Sequence, residues 1–292
     1  MNAVNTLSTR TIDVPGATVV YDVVERPDAT RRPLMLIGQP MGASGFQTLS
    51  GLFPDRTLIT YDPRGAERSQ KKDPSVATGP DEHADDLHKV IRAAGMGSVD
   101  MFASSGGAIN ALALVAKYPD DVHTLVAHEP PLASALPDAE FATAAVEAIH
   151  RTYEQRGLGA GMAHFIAITG HKGLMTADTV AQPPPDPQSF GMPAADDGNR
   201  TDPLLGPSMV AITTYEPNWA ALRAAPTHIV LGAGEISTDQ MANRGAHAVA
   251  ARLGSKVVTF PGGHGGFNKS EWEPSDPDAF AVTLKEILDD QD

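Results

Sequence analysis

The stretch Ser98–Lys117, SVDMFASSGGAINALALVAK, decides the fold. Its first residues are mostly apolar, which predicts a buried strand over Ser98–Ala103. A short turn, Ser104-Ser105-Gly106-Gly107, follows, and the apolar run Ala108–Lys117 predicts a helix directly after it. A serine on a sharp turn between a strand and a helix is an arrangement that exposes a hydroxyl nucleophile. The stretch therefore predicts a reactive serine at the end of a buried strand.

The neighbours of the two serines indicate which one is the nucleophile. The turn is strained, so the residues two before and two after the nucleophile must be small. Ser105 has Ala103 and Gly107 at these places, whereas Ser104 would put Phe102 at the first. Ser105 is therefore the candidate. An ordinary glycine-rich turn would show the same five-residue pattern, so the assignment depends on finding its partners.

Short strand-like runs recur along the chain and alternate with helical patterns. Helices are predicted after Thr78, with Gly95 as the stop, around Ala246–Leu253, ended by Gly254, and after Asp276-Pro277. This alternation predicts an α/β protein with a mostly parallel central sheet flanked by helices. The predicted strands are Ala17–Glu25, Pro33–Gly38, Thr57–Asp62, Ser98–Ala103, Val122–His128, Thr227–Ala233 and Lys256–Phe260.

The alternation stops between about Pro131 and Pro226. Two helical patterns, Asp138–Gln155 and Gly159–Thr169, precede a stretch over residues 182–207 that contains seven prolines. Such a stretch forms neither a helix nor a central strand. A linker between two domains is one interpretation. We favour a helical cap with a Pro-rich flap over residues 131–225, inserted between the sixth and seventh core strands, with residues 1–130 and 226–292 forming one core domain.

Partners for Ser105 follow later strands. Glu235 comes directly after the strand Thr227–Ala233 and Gly234, and His264 lies in the glycine-rich loop after Lys256–Phe260. Glu235 is the first choice for the acid of a Ser–His–acid triad. Glu129, in His128-Glu129-Pro130-Pro131, is the second choice, and Asp239 is the third.

The chain order Ser, acid, His and the strand–turn–helix around Ser105 resemble the α/β-hydrolase fold superfamily in its serine-nucleophile branch. The similarity extends over nearly the whole chain and is in the style of capped actinobacterial hydrolases. It also includes Gly38-Gln39-Pro40, Tyr61-Asp62-Pro63-Arg64-Gly65 and Gly262-Gly263-His264-Gly265-Gly266.

The resemblance implies an oxyanion hole made of two backbone N–H groups. One belongs to Gly106, and the other belongs to Gln39 by position, because Pro40 has no N–H; Met41 is the fallback. Many relatives carry His-Gly before this donor, where this chain has Ile37-Gly38.

Composition excludes several classes of function. The 292 residues include no cysteine, so disulfides, thiolate metal sites and a cysteine nucleophile are excluded. The net charge of −14 does not suit nucleic acid, and no apolar run is long enough to span a membrane. The first residues lack a secretory signal pattern, so we expect a cytoplasmic protein. A monomer and a dimer are both compatible with the sequence.

Patterns for cofactors or metals are weak. Gly232-Ala-Gly234 matches part of a dinucleotide fingerprint, but Ser237 stands where the third glycine belongs. His83 and His88 are five residues apart, which is wrong for one helix face, so we expect solvated surface residues. We expect no cofactor and no metal.

The resulting hypothesis is a serine hydrolase that cleaves a carboxylic ester, thioester or lactone through an acyl-enzyme. The same triad could instead serve C–C bond hydrolysis or a biosynthetic cyclisation, elimination or acyl transfer. A ligand-binding protein without catalysis would not need the three triad positions. The substrate is expected to be a small molecule with an apolar acyl or alkyl group, bound by Met41, Phe165, Met162 and Trp219.

Overall fold

The computed structural model describes residues 6–269 and 274–290. Within these residues the chain forms one sheet with helices on both faces. The strands are Thr6–Val14 (β1), Ala17–Glu25 (β2), Leu34–Ile37 (β3), Leu58–Tyr61 (β4), Gln70–Lys71 (β5), Val99–Ser104 (β6), Val122–His128 (β7), His228–Gly234 (β8) and Val257–Phe260 (β9). All seven predicted strands are present, so the predicted fold class is confirmed.

The sheet has the strand order β1-β2-β4-β3-β6-β7-β8-β9, and β5 pairs with β2 outside this path. β1, β2 and β4 pair antiparallel, whereas all pairs from β4 through β3 to β9 are parallel. The parallel strands are buried along most of their length, which explains why their sequences are apolar without alternation.

Helices cover the sheet on both faces. They span Gln47–Gly51 (α1), Pro80–Ala94 (α2), Gly106–Lys117 (α3), Ala139–Gly170 (α4), Ala177–Ala181 (α5), Pro207–Thr213 (α6), Trp219–Ala224 (α7), Met241–Leu253 (α8) and Pro277–Asp289 (α9). The predicted ends of α2 and α8 are confirmed, because Gly95 and Gly254 both adopt the left-handed conformation after them. α9 begins as predicted, since the Asp276 carboxylate accepts a hydrogen bond from the Ala279 N–H.

Two apolar clusters join the helices to the sheet. One packs residues of α2, α3 and α8, such as Leu87, Leu112 and Val249, on one face. The other packs aromatic residues of the opposite face, including Phe46 and Phe280, around the strands. Because each face is closed by its own core, the ends of the strands are the places where the sheet is accessible to a ligand.

The register of the strands brings the starts of the loops after β3, β6 and β7 together. Ile37 at the end of β3 is opposite Ala103 of β6, and Ser104 is opposite His128 of β7. The chain leaves β3 towards β4 on one side, while β6 to β9 extend on the other. In open α/β sheets, ligands bind beside the carboxyl ends of strands at such a reversal of strand order.

The segment between β7 and β8 contains α4 to α7. Gly157 interrupts α4 with φ 81° and ψ −175°, so α4 consists of two helical halves that match the two predicted patterns. The Pro-rich stretch over residues 182–207 forms only the short 3₁₀ turn Pro187–Phe190 before α6 begins at its last residue. This segment has a small apolar core of its own, centred on Ile149, Tyr153 and Leu205.

Candidate active site

Ser105 lies on a sharp turn between β6 and α3. Its backbone has φ 59° and ψ −131°, a conformation that L-residues rarely adopt. The Ser105 N–H donates a hydrogen bond to the His128 carbonyl, which ties the turn to the neighbouring strand. A β-carbon at Gly107 would lie 2.7 Å from the Cα of Gly38, so this position admits only glycine without a shift of backbone. The predicted requirement for a small residue at position 107 thus has a structural cause.

The loop after β3 lies directly against this turn. A β-carbon on Gly106 would be 3.1 Å from the Gln39 carbonyl oxygen and 3.2 Å from the Gln39 side chain. Gln39, Pro40, Ser105 and Gly106 all line one cavity. The two backbone segments predicted to supply oxyanion donors therefore border the same space as the serine.

His264 occupies the loop after β9 and lines the same cavity. Gly262 has φ 82°, and a β-carbon on Gly266 would meet the Pro261 carbonyl oxygen at 2.4 Å. These glycines let the loop fold tightly on itself. The imidazole is partly exposed on the cavity side, and its Nδ1 lies 2.7 Å from Glu129 Oε2.

The carboxylate beside His264 is Glu129, so the preference for Glu235 among the three acids is not supported by the geometry. Glu129 follows β7 with φ 49°, which turns its side chain into the interior, where it is completely buried. Its Oε1 accepts hydrogen bonds from the Gly234 N–H at 2.9 Å, the Ser237 hydroxyl and the Asn243 amide at 3.3 Å. Both oxygens of this carboxylate are thus engaged.

The two other acids lie at the surface. Glu235 is exposed, and its Oε1 accepts a hydrogen bond from the Gly262 N–H at 3.2 Å. Asp239 is exposed as well, and its backbone carbonyl bonds to the Gly173 N–H. Glu235 thus braces the backbone of the histidine loop, whereas Glu129 contacts the imidazole itself.

The surroundings of Glu129 keep it ionised. Burial by itself raises the pKa of this carboxyl, but the hydrogen bond and charge of His264, the nearby His128 and the Ser237 hydroxyl lower it overall, to about 2. A carboxylate that remains charged in this position holds the imidazole with its Nδ1–H towards Glu129. The same charge stabilises a protonated His264.

His128 is buried directly behind the site. Its ring lies 6.4 Å from the His264 ring and packs against an aromatic group made of Phe102, Phe260, Phe267 and Phe280. Among the described residues, neither ring nitrogen has a hydrogen-bond partner. Burial lowers the pKa of His128 to about 4, so this imidazole is neutral at pH 7.

The cavity above the serine has a volume of about 340 Å³ and apolar walls. Apolar residues of α4 and α6 form much of it, namely Val146, Ile149, Phe165, Ile166, Ile168, Met209 and Ile212, and Pro131 and Met241 also line it. His264 is the one ionisable side chain among the lining residues that the structure describes.

Of the four predicted pocket residues, Phe165 lines the cavity, whereas Met41, Met162 and Trp219 do not. Met41 packs beneath its own loop, where its side chain fills the space beside Gly45. Met162 packs into the core of the segment between β7 and β8. Trp219 donates to the Glu216 carboxylate and stacks under Arg252. All four were predicted as apolar residues near the site, but whether each one lines the cavity depends on the direction of its side chain.

Known proteins share this architecture. A family model described as the alpha/beta hydrolase fold matches residues 41–165, which include the Ser105 turn and Glu129. A thermophilic esterase from Thermogutta terrifontis superposes with a TM-score of 0.64 at 18% identity, covering 99% of each chain. The chain has the α/β-hydrolase fold. The proline iminopeptidase of Mycobacterium smegmatis has the same fold, with a TM-score of 0.63 at 17% identity over 97% of this chain and 98% of that one.

This α/β-hydrolase-fold protein also resembles YraK of Bacillus subtilis (strain 168), an uncharacterized hydrolase. The two are 26% identical over 278 residues, which cover 90% of this chain and 91% of YraK. The similarity therefore includes the segment between β7 and β8 as well as the sheet.

Residues 6–269 and 274–290 of the α/β-hydrolase-fold protein contain no group of three His, Asp or Glu side chains that could hold a metal ion. No helix in this part is long and apolar enough to cross a membrane. His83, expected at the surface, is completely buried because α2 turns it into the core, and neither of its ring nitrogens has a partner among the described residues.

Three polar residues at the site were not found from the sequence. Ser237 and Asn243 are buried and hold Glu129, and His128 lies behind the imidazole. Asn243 offered a weak signal, since it is a polar residue within an otherwise apolar face of α8. Nothing in the spacing of Ser237 and His128 distinguished them from ordinary loop and strand residues.

Proposed function

We propose that this protein is a serine hydrolase that cleaves an uncharged carboxylic ester, thioester or lactone through an acyl-enzyme. The observation that carries the proposal is that Ser105, on a strained turn, and His264, held by the buried Glu129, line one apolar cavity. A nucleophile, a base and a group that orients the base are the parts that such catalysis requires.

In the proposed mechanism, the Ser105 hydroxyl attacks the substrate carbonyl. Because Nδ1 of His264 faces Glu129 at 2.7 Å, Nε2 is the nitrogen that takes the serine proton and returns it to the leaving group. Glu129 remains ionised and stabilises the imidazolium that forms. Water then attacks the acyl-enzyme, with His264 again as the base.

The backbone N–H groups of Gln39 and Gly106 are proposed to bind the oxyanion. Their segments lie against each other, and both border the cavity together with Ser105. Fixed backbone donors stabilise the charge that develops on the carbonyl oxygen, and each such donor contributes roughly 2.7–4 kcal/mol in comparable sites. Met41, the fallback donor, lies one residue beyond Pro40 and does not line the cavity.

The walls of the cavity define the substrate class. A charged acyl or alcohol group would lose its hydration without gaining a partner of opposite charge there, which costs several kcal/mol. Apolar groups gain about 0.8 kcal/mol for each methylene that leaves water. We therefore infer a small uncharged substrate with an apolar acyl or alkyl group. Residues 131–225 would serve as the cap of the core domain, since α4 and α6 supply much of this wall.

Hydrolysis of p-nitrophenyl butyrate by purified protein tests the proposal. The Ser105→Ala variant should lose about 10³-fold or more in kcat, because the nucleophile is gone while the fold remains. Ser104→Ala is the matched control, since Ser104 is the adjacent residue, buried at the end of β6, and its variant should retain kcat.

Equal hydrolysis by the wild type and Ser105→Ala would refute the assignment of the nucleophile. A wild type whose Ser105 reacts with a fluorophosphonate but which hydrolyses no ester of any chain length would refute ester hydrolysis and favour another reaction of the same triad.

A further inference from the structure

Three consecutive N–H groups of the loop after β3 donate to two carboxylates from the segment after β4. The Gly42 N–H bonds to Glu67 Oε1 at 3.0 Å, the Ala43 N–H to Asp62 Oδ1 at 2.9 Å, and the Ser44 N–H to Glu67 Oε2 at 3.4 Å. The Ser44 hydroxyl adds a bond to Glu67 Oε1 at 2.7 Å. We call Asp62 and Glu67 the carboxylate clamp.

Asp62 is anchored to the sheet. It directly follows β4, is completely buried, and its Oδ2 accepts hydrogen bonds from the Arg68 N–H at 3.2 Å and from Arg68 Nε at 2.6 Å. Arg68 in turn pairs with Asp22 of β2 at 2.8 Å. The position of Asp62 is therefore set by β2 and β4, and its bond to Ala43 transmits that position to the loop.

Glu67 adopts a backbone conformation that suits glycine better. Its φ is 45°, and the left-handed region costs a residue with a β-carbon about 1 kcal/mol. Its side chain is largely exposed, so burial does not explain its presence. In this position the Glu67 side chain accepts three hydrogen bonds from the loop.

The two carboxylates of the clamp lie very close to the loop backbone. A β-carbon on Gly42 would lie 2.6 Å from Asp62 Oδ1 and 2.9 Å from the Glu67 carboxyl carbon. The two carboxylates can approach the backbone this closely because residue 42 is glycine.

We propose that Asp62 and Glu67 are positioning residues for the oxyanion donor of Gln39, an inference that rests on the proposed function. Only residues 38–41 lie between the end of β3 and the clamp. The donor segment is therefore held at both ends, by the sheet on one side and by the clamp on the other. Neither carboxylate lines the cavity, so both act through the backbone of the loop.

The test compares three variants with the wild type. Glu67→Gly removes the clamp on one side and relieves the positive φ, whereas Glu67→Gln keeps one acceptor oxygen and loses the other. Glu82→Gln is the matched control, because Glu82 makes the same kind of bond to the Gly79 N–H at the start of α2, away from the loop. Each protein is measured for kcat and KM with p-nitrophenyl butyrate, for the rate of fluorophosphonate labelling, and for its thermal midpoint.

We expect Glu67→Gly to lose about 10-fold or more in kcat and in labelling rate, because a displaced donor stabilises the oxyanion less well. KM should stay within about twofold, and the thermal midpoint should stay close to that of the wild type, because relief of the backbone strain offsets the hydrogen bonds that are lost. Glu67→Gln should fall between Glu67→Gly and the wild type, and Glu82→Gln should match the wild type.

Wild-type kcat and labelling rate in Glu67→Gly would overturn the inference while leaving the proposed function intact. A loss of activity that is matched by a lower thermal midpoint would overturn it too, since a general structural role would suffice. A wild type that neither hydrolyses esters nor reacts with the fluorophosphonate would overturn the proposed function and this inference together.

Discussion

At the scale of single residues, the backbone of Glu129 explains how the site is assembled. Its φ of 49° turns a strand-end carboxylate inward, where Gly234, Ser237 and Asn243 donate hydrogen bonds to it. A buried carboxylate with this many donors is fixed in place and stays charged. It can therefore hold the imidazole of His264 in one orientation.

Replacing this carboxylate by an amide tests its role. We expect Glu129→Gln to lower kcat about 10³- to 10⁴-fold, the loss typical of a triad whose acid becomes an amide and favours the wrong imidazole tautomer. Glu235→Gln should keep kcat within about threefold of the wild type, because Glu235 is exposed and its amide oxygen can still accept from Gly262. Steady-state kinetics with p-nitrophenyl butyrate measure both. A larger loss in Glu235→Gln than in Glu129→Gln would restore Glu235 as the acid.

Residue patterns predicted part of the candidate site. Ser105 and His264 were identified as candidates because a tight turn and a glycine-rich loop each have a recognisable sequence pattern. The sequence ranked Glu235 before Glu129, whereas the structure places Glu129 beside His264; both residues follow buried strands, so their sequence positions did not distinguish them. The difference between them is which way one side chain turns, and that depends on a backbone angle and on partners 105 or more residues away.

At the scale of elements, α4 forms one wall of the cavity with both of its halves. Ile149 lies before the break at Gly157, and Phe165 lies after it. Phe141, on the same helix, packs into the core of the segment and does not line the cavity. The two phenylalanines therefore provide a matched pair for testing substrate selection.

Phe165→Ala should enlarge the cavity and shift activity towards longer acyl chains. Each methylene that gains an apolar contact contributes about 0.8 kcal/mol, or roughly fourfold in kcat/KM. We expect the ratio of kcat/KM for p-nitrophenyl octanoate to that for butyrate to rise at least about fourfold. Phe141→Ala should leave this ratio unchanged, although its thermal midpoint should fall. An unchanged ratio in Phe165→Ala would show that the acyl chain binds elsewhere.

The sequence predicted the central elements well and the peripheral ones poorly. Buried parallel strands are apolar throughout, so β3, β6, β7 and β8 were recognised. β1 is a largely exposed edge strand with polar residues, and β5 has two residues, so neither has a distinctive pattern. The path of the Pro-rich stretch depends on contacts with α4, such as the Tyr153 hydroxyl that accepts from the Asp202 N–H. No local pattern encodes such contacts.

At the scale of the whole molecule, two buried histidines link stability to pH. Burial lowers the pKa of His83 to about 3, with a further contribution from the nearby Arg64 and Lys71, and burial lowers that of His128 to about 4. The unfolded chain binds these protons near pH 6.5. The folded state is therefore favoured fully above that pH, and its stability falls as the pH drops from about 6.5 towards 4.

Urea unfolding at pH 7, 6 and 5 measures this dependence. Each histidine contributes up to about 1.4 kcal/mol per pH unit below pH 6.5. His83→Leu should therefore flatten the decline in the free energy of unfolding relative to the wild type. His247→Gln, at an exposed position of α8, should decline like the wild type. A wild-type free energy of unfolding that is constant from pH 7 to pH 5 would contradict the buried neutral histidines.

The net charge of −14 says little about the site, because the cavity walls carry almost no charge. The fold as a whole brings together the loops after β3, β6, β7 and β9, which are separated in the sequence. The central claim is that the residues of these four loops make Ser105 an activated nucleophile.

The most direct measurement is mass spectrometry of the protein after reaction with a fluorophosphonate. The tryptic peptide over residues 93–117 contains Ser98, Ser104 and Ser105, so fragment ions must locate the adduct. We expect one adduct on Ser105, formed more slowly in Glu129→Gln and absent from Ser105→Ala. An adduct on another serine, or an unmodified Ser105 in folded wild-type protein, would contradict it.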